Sequence, residues 1–219
     1  MRKVIAGTFV SLDGVMQAPG GPEEDPTGGF KHGGWTFHYW DEAGGKAMEA
    51  LFSAPFDLLL GRRTYEIFAA YWPYIDDSDA IAKRFNACRK YVASRSRPRL
   101  TWQHSVALAG DAADAVAKLK QEDGPRLLIQ GSGVLIRSLQ ARGLIDRFHL
   151  MVFPVLLGRG KKLFGEDAKA GELKLVQSQV TTTGVVMSAY EPAGEVRTGS
   201  FAQQEPSEAE LERRRKLKD

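Results

Sequence analysis

Apolar residues fall in short runs of strand length: KVIAGTFV (3–10), FDLLL (56–60), KYVAS (90–94), RLLIQ (126–130) and FHLMVF (148–153). Near the end, ELKLVQSQV (172–180) alternates apolar and polar positions, and GVVMSAY (184–190) follows after three residues, which predicts an antiparallel hairpin. Between the runs the period lengthens. Ala47, Met48, Leu51 and Phe52 share one side of a helix over 41–52, although Gly44 and Gly45 weaken its start. A second helix covers 64–72, and a third covers 79–88 with Ile81, Phe85 and Cys88 inward. Asp111 caps a fourth over 112–122, with Val116 and Leu119 inward. A fifth, over 133–142, buries Leu135 and Leu139 and stops at Gly143. Strands alternating with helices predict an α/β fold, with mainly parallel central strands and a mixed sheet completed by the terminal hairpin.

Two segments break the pattern. Residues 17–45 are rich in glycine, proline and aromatics and join the first strand to the first helix. A loop of that length is functional or disordered, and its aromatics predict an ordered cover over a site. The end, SEAELERRRKLKD (207–219), has a capping box in Ser207 and Glu210 and i,i+4 pairs in Glu210–Arg214 and Glu212–Lys216, but little to bury. The chain therefore divides into one domain, 1–192, and a charged peripheral tail, 193–219.

Composition narrows the classes. A chain of 219 residues with 43% apolar and 26% charged residues can build one substantial core. No apolar run approaches a membrane span, and Ser11 and Asp13 interrupt the first run where a signal peptide would stay apolar, so a cytoplasmic protein is expected. The single Cys88 reads as a small core residue. The net charge of +3 includes no long basic block within the domain, so nucleic acid is not the expected partner. Four histidines without ligand spacing predict no metal site.

The chemistry lies at strand tips. DLLLGRRTYEIF (57–68) ends an apolar strand at Gly61, with a helix starting near Thr64 and with Arg62 and Arg63 at the junction. Free N–H groups at such a helix start, together with arginine forks, suit phosphate; two solvated surface arginines are the plain alternative. LLIQGSGVLIRSL (127–139) repeats the arrangement with Gly131, Ser132 and Gly133, and YVASRSRPR (91–99) repeats it with Ser94 and Arg95, close to Arg97 and Arg99. Neither a GxGxxG fingerprint nor a Walker A motif is present.

SLDG (11–14), LLLGRRTYEIF (58–68), YVASR (91–95), IQGSGVLIRSL (129–139), GLIDRFHLMVFPVLLGRGKKLF (143–164) and GVVMSAY occur in an order that resembles the dihydrofolate reductase-like superfamily. Within it, the chain is similar to stand-alone bacterial relatives of the reductase domain of the riboflavin-biosynthesis deaminase-reductase. The resemblance implies NADPH as cofactor. Gly61, Arg62, Arg63 and Thr64 would hold its phosphates, and Ser94 and Arg95 would flank the adenine ribose. Gly131, Ser132 and Gly133, continuing into Val134 and Leu135, would approach the pyrophosphate and nicotinamide side, and Phe9 and Val10 would border the nicotinamide. Asp13 would face the substrate, with Leu157 and Gly158 in a turn beside it. Relatives commonly carry an acid where this chain has Arg147, so no role of that acid transfers. A homodimer is also implied, with FHLMVF near a sheet edge that needs cover.

The expected activity is reduction of a small planar heterocycle of pterin, pyrimidine or flavin-precursor type. Asp13 and Asp41 are the candidate proton donors, on the expectation that burial raises their pKa. Asp41 as a helix cap and Asp13 as a turn former are the structural alternatives. Trp35, Tyr39 and Trp40 either wall the substrate or anchor the long loop. The rival functions are a non-catalytic binding module of the same fold and an RNA-associated protein that uses its basic tail.

Overall fold

A computed structural model describes residues 1–96, 98–202 and 204–217. Arg97, grouped above with its neighbours, lies outside them. Eight strands form one sheet: β1 (Val4–Ser11), β2 (Phe56–Gly61), β3 (Lys90–Ala93), β4 (Ser105–Ala107), β5 (Arg126–Gln130), β6 (Arg147–Phe153), β7 (Glu172–Val180) and β8 (Val186–Gly194). Their order is β4-β3-β2-β5-β1-β6-β8-β7. Strands β1 to β6 pair in parallel, while β8 runs antiparallel to both β6 and β7.

The helices are α1 (Glu42–Ser53), α2 (Arg62–Ala69), α3 (Ala80–Ala87), α4 (Ala112–Gln121), α5 (Gly133–Ala141) and α6 (Glu208–Lys216). Leu58, Leu59 and Leu60 are all buried although neighbouring side chains of a strand point to opposite faces. Leu58 and Leu60 meet Met48, Phe52, Tyr65 and Phe85 of α1–α3. Leu59 meets Val116, Leu119, Leu135 and Leu139 of α4 and α5. Both faces of the central sheet are covered, which is why its strands read as continuous apolar runs.

Several boundaries differ from expectation. Helix α2 begins at Arg62, not near Thr64, so both arginines lie in its first turn. It ends at Ala69, and Trp72–Tyr74 forms a separate 3-10 turn. Strand β4 is only three residues at an edge, with a single large apolar side chain, Val106, and so has no apolar pattern to announce it. FHLMVF lies two strands in from the β7 edge. Strand β8 continues to Gly194, and Arg197 pairs with Glu172 at 3.0 Å, so the sheet extends past residue 192. In α6, Ser207 caps the Glu210 N–H, but Glu210 turns to Arg213 and Arg214 rather than back to the cap.

The long segment between β1 and α1 is ordered by its own side chains. Trp35 and Phe30 are buried, and the Trp35 indole donates to Gln17 O at 2.8 Å. The Gln17 amide donates to Asp25 O and Thr27 O, both at 2.9 Å. No helix among the described residues is long and apolar enough to cross a membrane.

Candidate active site at the strand tips

Strands β2 and β5 are neighbours, so their carboxyl ends bring Gly61 beside Gly131–Ser132–Gly133. The Gly61 N–H donates to Ser132 Oγ at 2.9 Å, joining the two tips. Gly131 and Ser132 both adopt left-handed backbone, with φ of 62° and 60°. Glycine carries that conformation freely, whereas serine accepts it at a cost on the order of 1 kcal/mol. A Cβ on Gly131 would lie 3.4 Å from Thr64 Cγ2, so the two helix starts are also close.

These two helix starts share a chemical property. Helices α1, α3, α4 and α6 are capped by the side chains of Asp41, Asp79, Asp111 and Ser207. Helices α2 and α5, which begin at Gly61 and Ser132, have no side-chain cap. Their first-turn N–H groups therefore present two partial positive charges at one place. Ser94 and Arg95 follow β3, whose Ala93 pairs with Gly61, so the third tip adjoins the first, on the side of β2 away from β5. The Ser94 hydroxyl accepts from Ser96 N–H at 3.2 Å, and Arg95 is exposed.

The arginines are already engaged. Arg62 pairs with Glu66 at 2.9 Å, one helical turn away and half exposed. Arg63 donates to Thr27 Oγ1 at 3.2 Å and stands 3.8 Å from Asp25.

At the β1 and β6 tips, Phe9 meets Phe153 and Trp40 edge-on at 5.7 and 6.0 Å. Val10, the next residue along the strand, faces the opposite way into the α4–α5 core, so its side chain does not share the Phe9 side. Leu135 is buried in that same core, while Val134 is exposed. Trp35 packs against Phe153 at 5.2 Å with its indole N–H satisfied, which makes it an anchor of the loop. Tyr39 packs on Phe153 at 6.0 Å beside it.

The expected rise in the carboxyl pKa values is not found. Asp13 accepts from the Ser11 hydroxyl at 2.6 Å and from the Leu157 and Gly158 N–H groups at 3.2 and 2.7 Å. The Ser11 hydrogen bond, joined by the two backbone donors, holds the carboxyl below its ordinary value although burial pushes the other way. Asp13 thereby fastens SLDG to the 154–164 segment, and Leu157 and Gly158 turn their N–H groups to it. Asp41 caps α1 through Gly44 N–H at 2.9 Å and accepts from the Thr182 hydroxyl at 2.6 Å. The Thr182 and Gly44 bonds lower its pKa too. Both carboxylates are ionised at neutral pH.

One polar group escaped the sequence reading. Gln130 is 8% exposed, and its Nε2 is buried with no partner. A Cβ at Gly7 would stand 2.6 Å from that Nε2 and 3.0 Å from Leu51 Cδ2, so the amide fills space that only glycine leaves open. His149 lies across Gly7 from Gln130 in the strand register. Burial, with Arg147 and Arg126 nearby, lowers the His149 pKa and keeps the ring neutral. Two open hollows elsewhere, about 640 Å³ beside Glu172 and Arg197 and about 380 Å³ beside Asp57 and Cys88, touch none of these residues.

The chain is similar to known proteins over most of its length. The uncharacterized protein YyaP of Bacillus subtilis (strain 168) is 28% identical over 86% of this chain and 94% of its own. A riboflavin-biosynthesis-type protein from Shewanella sp. PV-4 superposes with a TM-score of 0.58 at 21% identity, covering 87% of this chain and 99% of that one. Dihydrofolate reductase from Enterococcus faecalis, solved with NADP(H), superposes with a TM-score of 0.54 at 14% identity, covering 87% and 96%. These likenesses establish a dihydrofolate reductase-like fold. Residues 2–187 match the RibD C-terminal domain family, and the chain belongs to it.

Proposed function

We propose that the protein is an NADPH-dependent reductase of a small planar heterocycle of pterin, pyrimidine or flavin-precursor type. The observation that carries this reading is the pair of uncapped helix starts at Gly61 and Ser132, set side by side while the other helices carry their own caps. A pyrophosphate supplies the acceptors those N–H groups lack. Gly131 lets the β5 tip turn sharply into α5, and Arg62 and Arg63 add cationic forks toward a 2′-phosphate. When bound, the cofactor supplies a hydride. The chain's residues place the ring beside Phe9 and shield it under the 17–40 segment. Asp13 and Asp41 hold the surrounding turns, and with both ionised the proton is assigned to water.

In this reading Gln130 orients the substrate, its free amide pairing with a ring carbonyl or nitrogen. Once a substrate is found by NADPH oxidation, Gln130→Leu is expected to cost about tenfold in kcat/KM, the worth of one buried hydrogen bond, with NADPH affinity unchanged. An unaltered kcat/KM would remove Gln130 from the site. Binding of NADPH without oxidation of any such heterocycle would favour a sequestering module.

A homodimer belongs to the same proposal. Leu150, Val152, Tyr190, Val186, Leu175 and Val180 share one sheet face by register, and Leu175 and Val180 are 51% and 62% exposed. A second copy would cover that face. A 24.1 kDa particle in light scattering at micromolar concentration would overturn it.

A further inference from the structure

One carboxylate ties the segment over the strand tips to two other parts of the chain. Asp25 is 8% exposed and accepts from the Thr27 hydroxyl and from Lys161 Nζ. Lys161 also donates to Thr27 Oγ1 at 2.8 Å, and its own N–H donates to Gln17 Oε1 at 3.0 Å. On the other side Arg63 approaches Asp25 at 3.8 Å while bonding Thr27. Three distant parts of the chain thus meet at Asp25: the cover segment, the first turn of α2, and the turn after β6. Met16 and Lys162 O lie within 4 Å of a Cβ position on Gly133, which puts this knot next to the α5 start.

We propose that Asp25 is a positioning residue for the nucleotide end of the site. It seats the cover segment through Lys161 and sets how much of the Arg63 charge is left for a bound phosphate. The two contacts differ in kind. Lys161 makes a direct hydrogen-bonded pair, whereas Arg63 stands at the limit of an ion pair and is half exposed. A ligand phosphate at the α2 start competes with Asp25 for Arg63 and leaves the Lys161 half in place. Burial works against the Asp25 carboxylate, but the hydrogen bonds from Lys161 and Thr27 outweigh it and hold the group ionised.

The cofactor half of this inference rests on the NADPH reading; the seating half does not. The test compares Asp25→Asn, Asp25→Glu and Lys161→Met in the full chain. Backbone hydrogen exchange over residues 18–36 is expected to quicken by about tenfold in Asp25→Asn and in Lys161→Met. The ratio of NADPH to NADH affinity, from titration calorimetry, is expected to rise about threefold in Asp25→Asn alone, because only that change releases Arg63. Lys161→Met leaves Arg63 on Asp25, so its ratio stays level or falls. Asp25→Glu restores both readouts toward the unmodified protein. Unchanged exchange in Asp25→Asn would overturn the seating role. An equal shift of the affinity ratio in Asp25→Asn and Lys161→Met would overturn the sharing of Arg63. If the unmodified protein binds neither cofactor, the cofactor reading and the sharing fall together, and the exchange data decide the seating role alone.

Discussion

Replacing Arg62 and Arg63 together by alanine is expected to abolish discrimination between NADPH and NADH. The two cofactors differ by one phosphate carrying nearly two negative charges. Each charge-assisted hydrogen bond to such a group contributes roughly 1.5–3 kcal/mol, about ten- to a hundredfold in affinity. The low end applies, because Arg62 and Arg63 side chains are 48% and 54% exposed. Arg62 also has to leave Glu66, but an exposed i,i+4 pair holds it by only about 0.3–0.5 kcal/mol. The unmodified protein should therefore bind NADPH at least about tenfold tighter than NADH, and added salt should narrow the gap. In the double variant NADPH affinity should fall to near that for NADH, while NADH affinity changes little. Calorimetry of both cofactors against both proteins measures this. Equal affinity in the unmodified protein would sink the claim.

Stability should rise as pH increases above 8, against the usual trend, once Cys88 is replaced by alanine. Lys90 is 0% exposed at the amino end of β3. Its ammonium donates to Asn86 O at 2.9 Å and Gln103 O at 3.1 Å and lies 4.3 Å from the Trp102 ring centre, but these contacts include no carboxylate. Burial pushes its pKa down to about 8 from 10.5. Between those values the unfolded chain holds a proton that the folded one has released, so stability climbs with pH; below about 8 both are charged and the burial cost is fully felt. At about 1.4 kcal/mol per pH unit the gain is on the order of 3 kcal/mol, and for a chain of this size that is on the order of 5–10 °C in Tm. Cys88 works the other way. Burial raises its thiol to about 11 from 9.0, so the folded protein keeps a proton that the unfolded chain loses, and stability declines across that window. The two windows overlap from about 9 to 10.5, where Cys88 offsets Lys90 in the unmodified protein and flattens the rise. Melting curves of Cys88→Ala from pH 7 to 10.5 should show the rise, and Cys88→Ala with Lys90→Met should lack it. A flat or falling profile for Cys88→Ala would refute the argument.

The raised thiol pKa also fits a core residue rather than a nucleophile at Cys88, as its inward place on the 79–88 pattern indicated. Other readings were legible for similar local reasons. Asp111 and Asp41 stand two or three residues from the N–H groups they cap, and Gly61 and Gly131 mark turns where strands stop. Such signals act over a few residues, so they are written in consecutive letters.

What the sequence by itself determined was the alternation of buried strands and amphipathic helices, and the three phosphate-compatible junctions at Gly61, Ser94 and Gly131. It also supplied the resemblance that names the family. Only the tertiary structure decided what those junctions face. Slotting β5 between β1 and β2 set Ser132 against Gly61, 71 residues away, and laid the Gln130 amide over Gly7. Folding also gave Asp13 and Asp41 partners 145 and 141 residues distant; at Asp13 these add to the local Ser11 hydrogen bond, and at Asp41 the Thr182 contact leads, in lowering pKa values expected to rise. It turned Arg63 toward a loop residue 36 positions earlier. A carboxylate's charge state and an arginine's availability depend on which groups surround them in space, and for groups far apart in the chain only the tertiary fold brings them together.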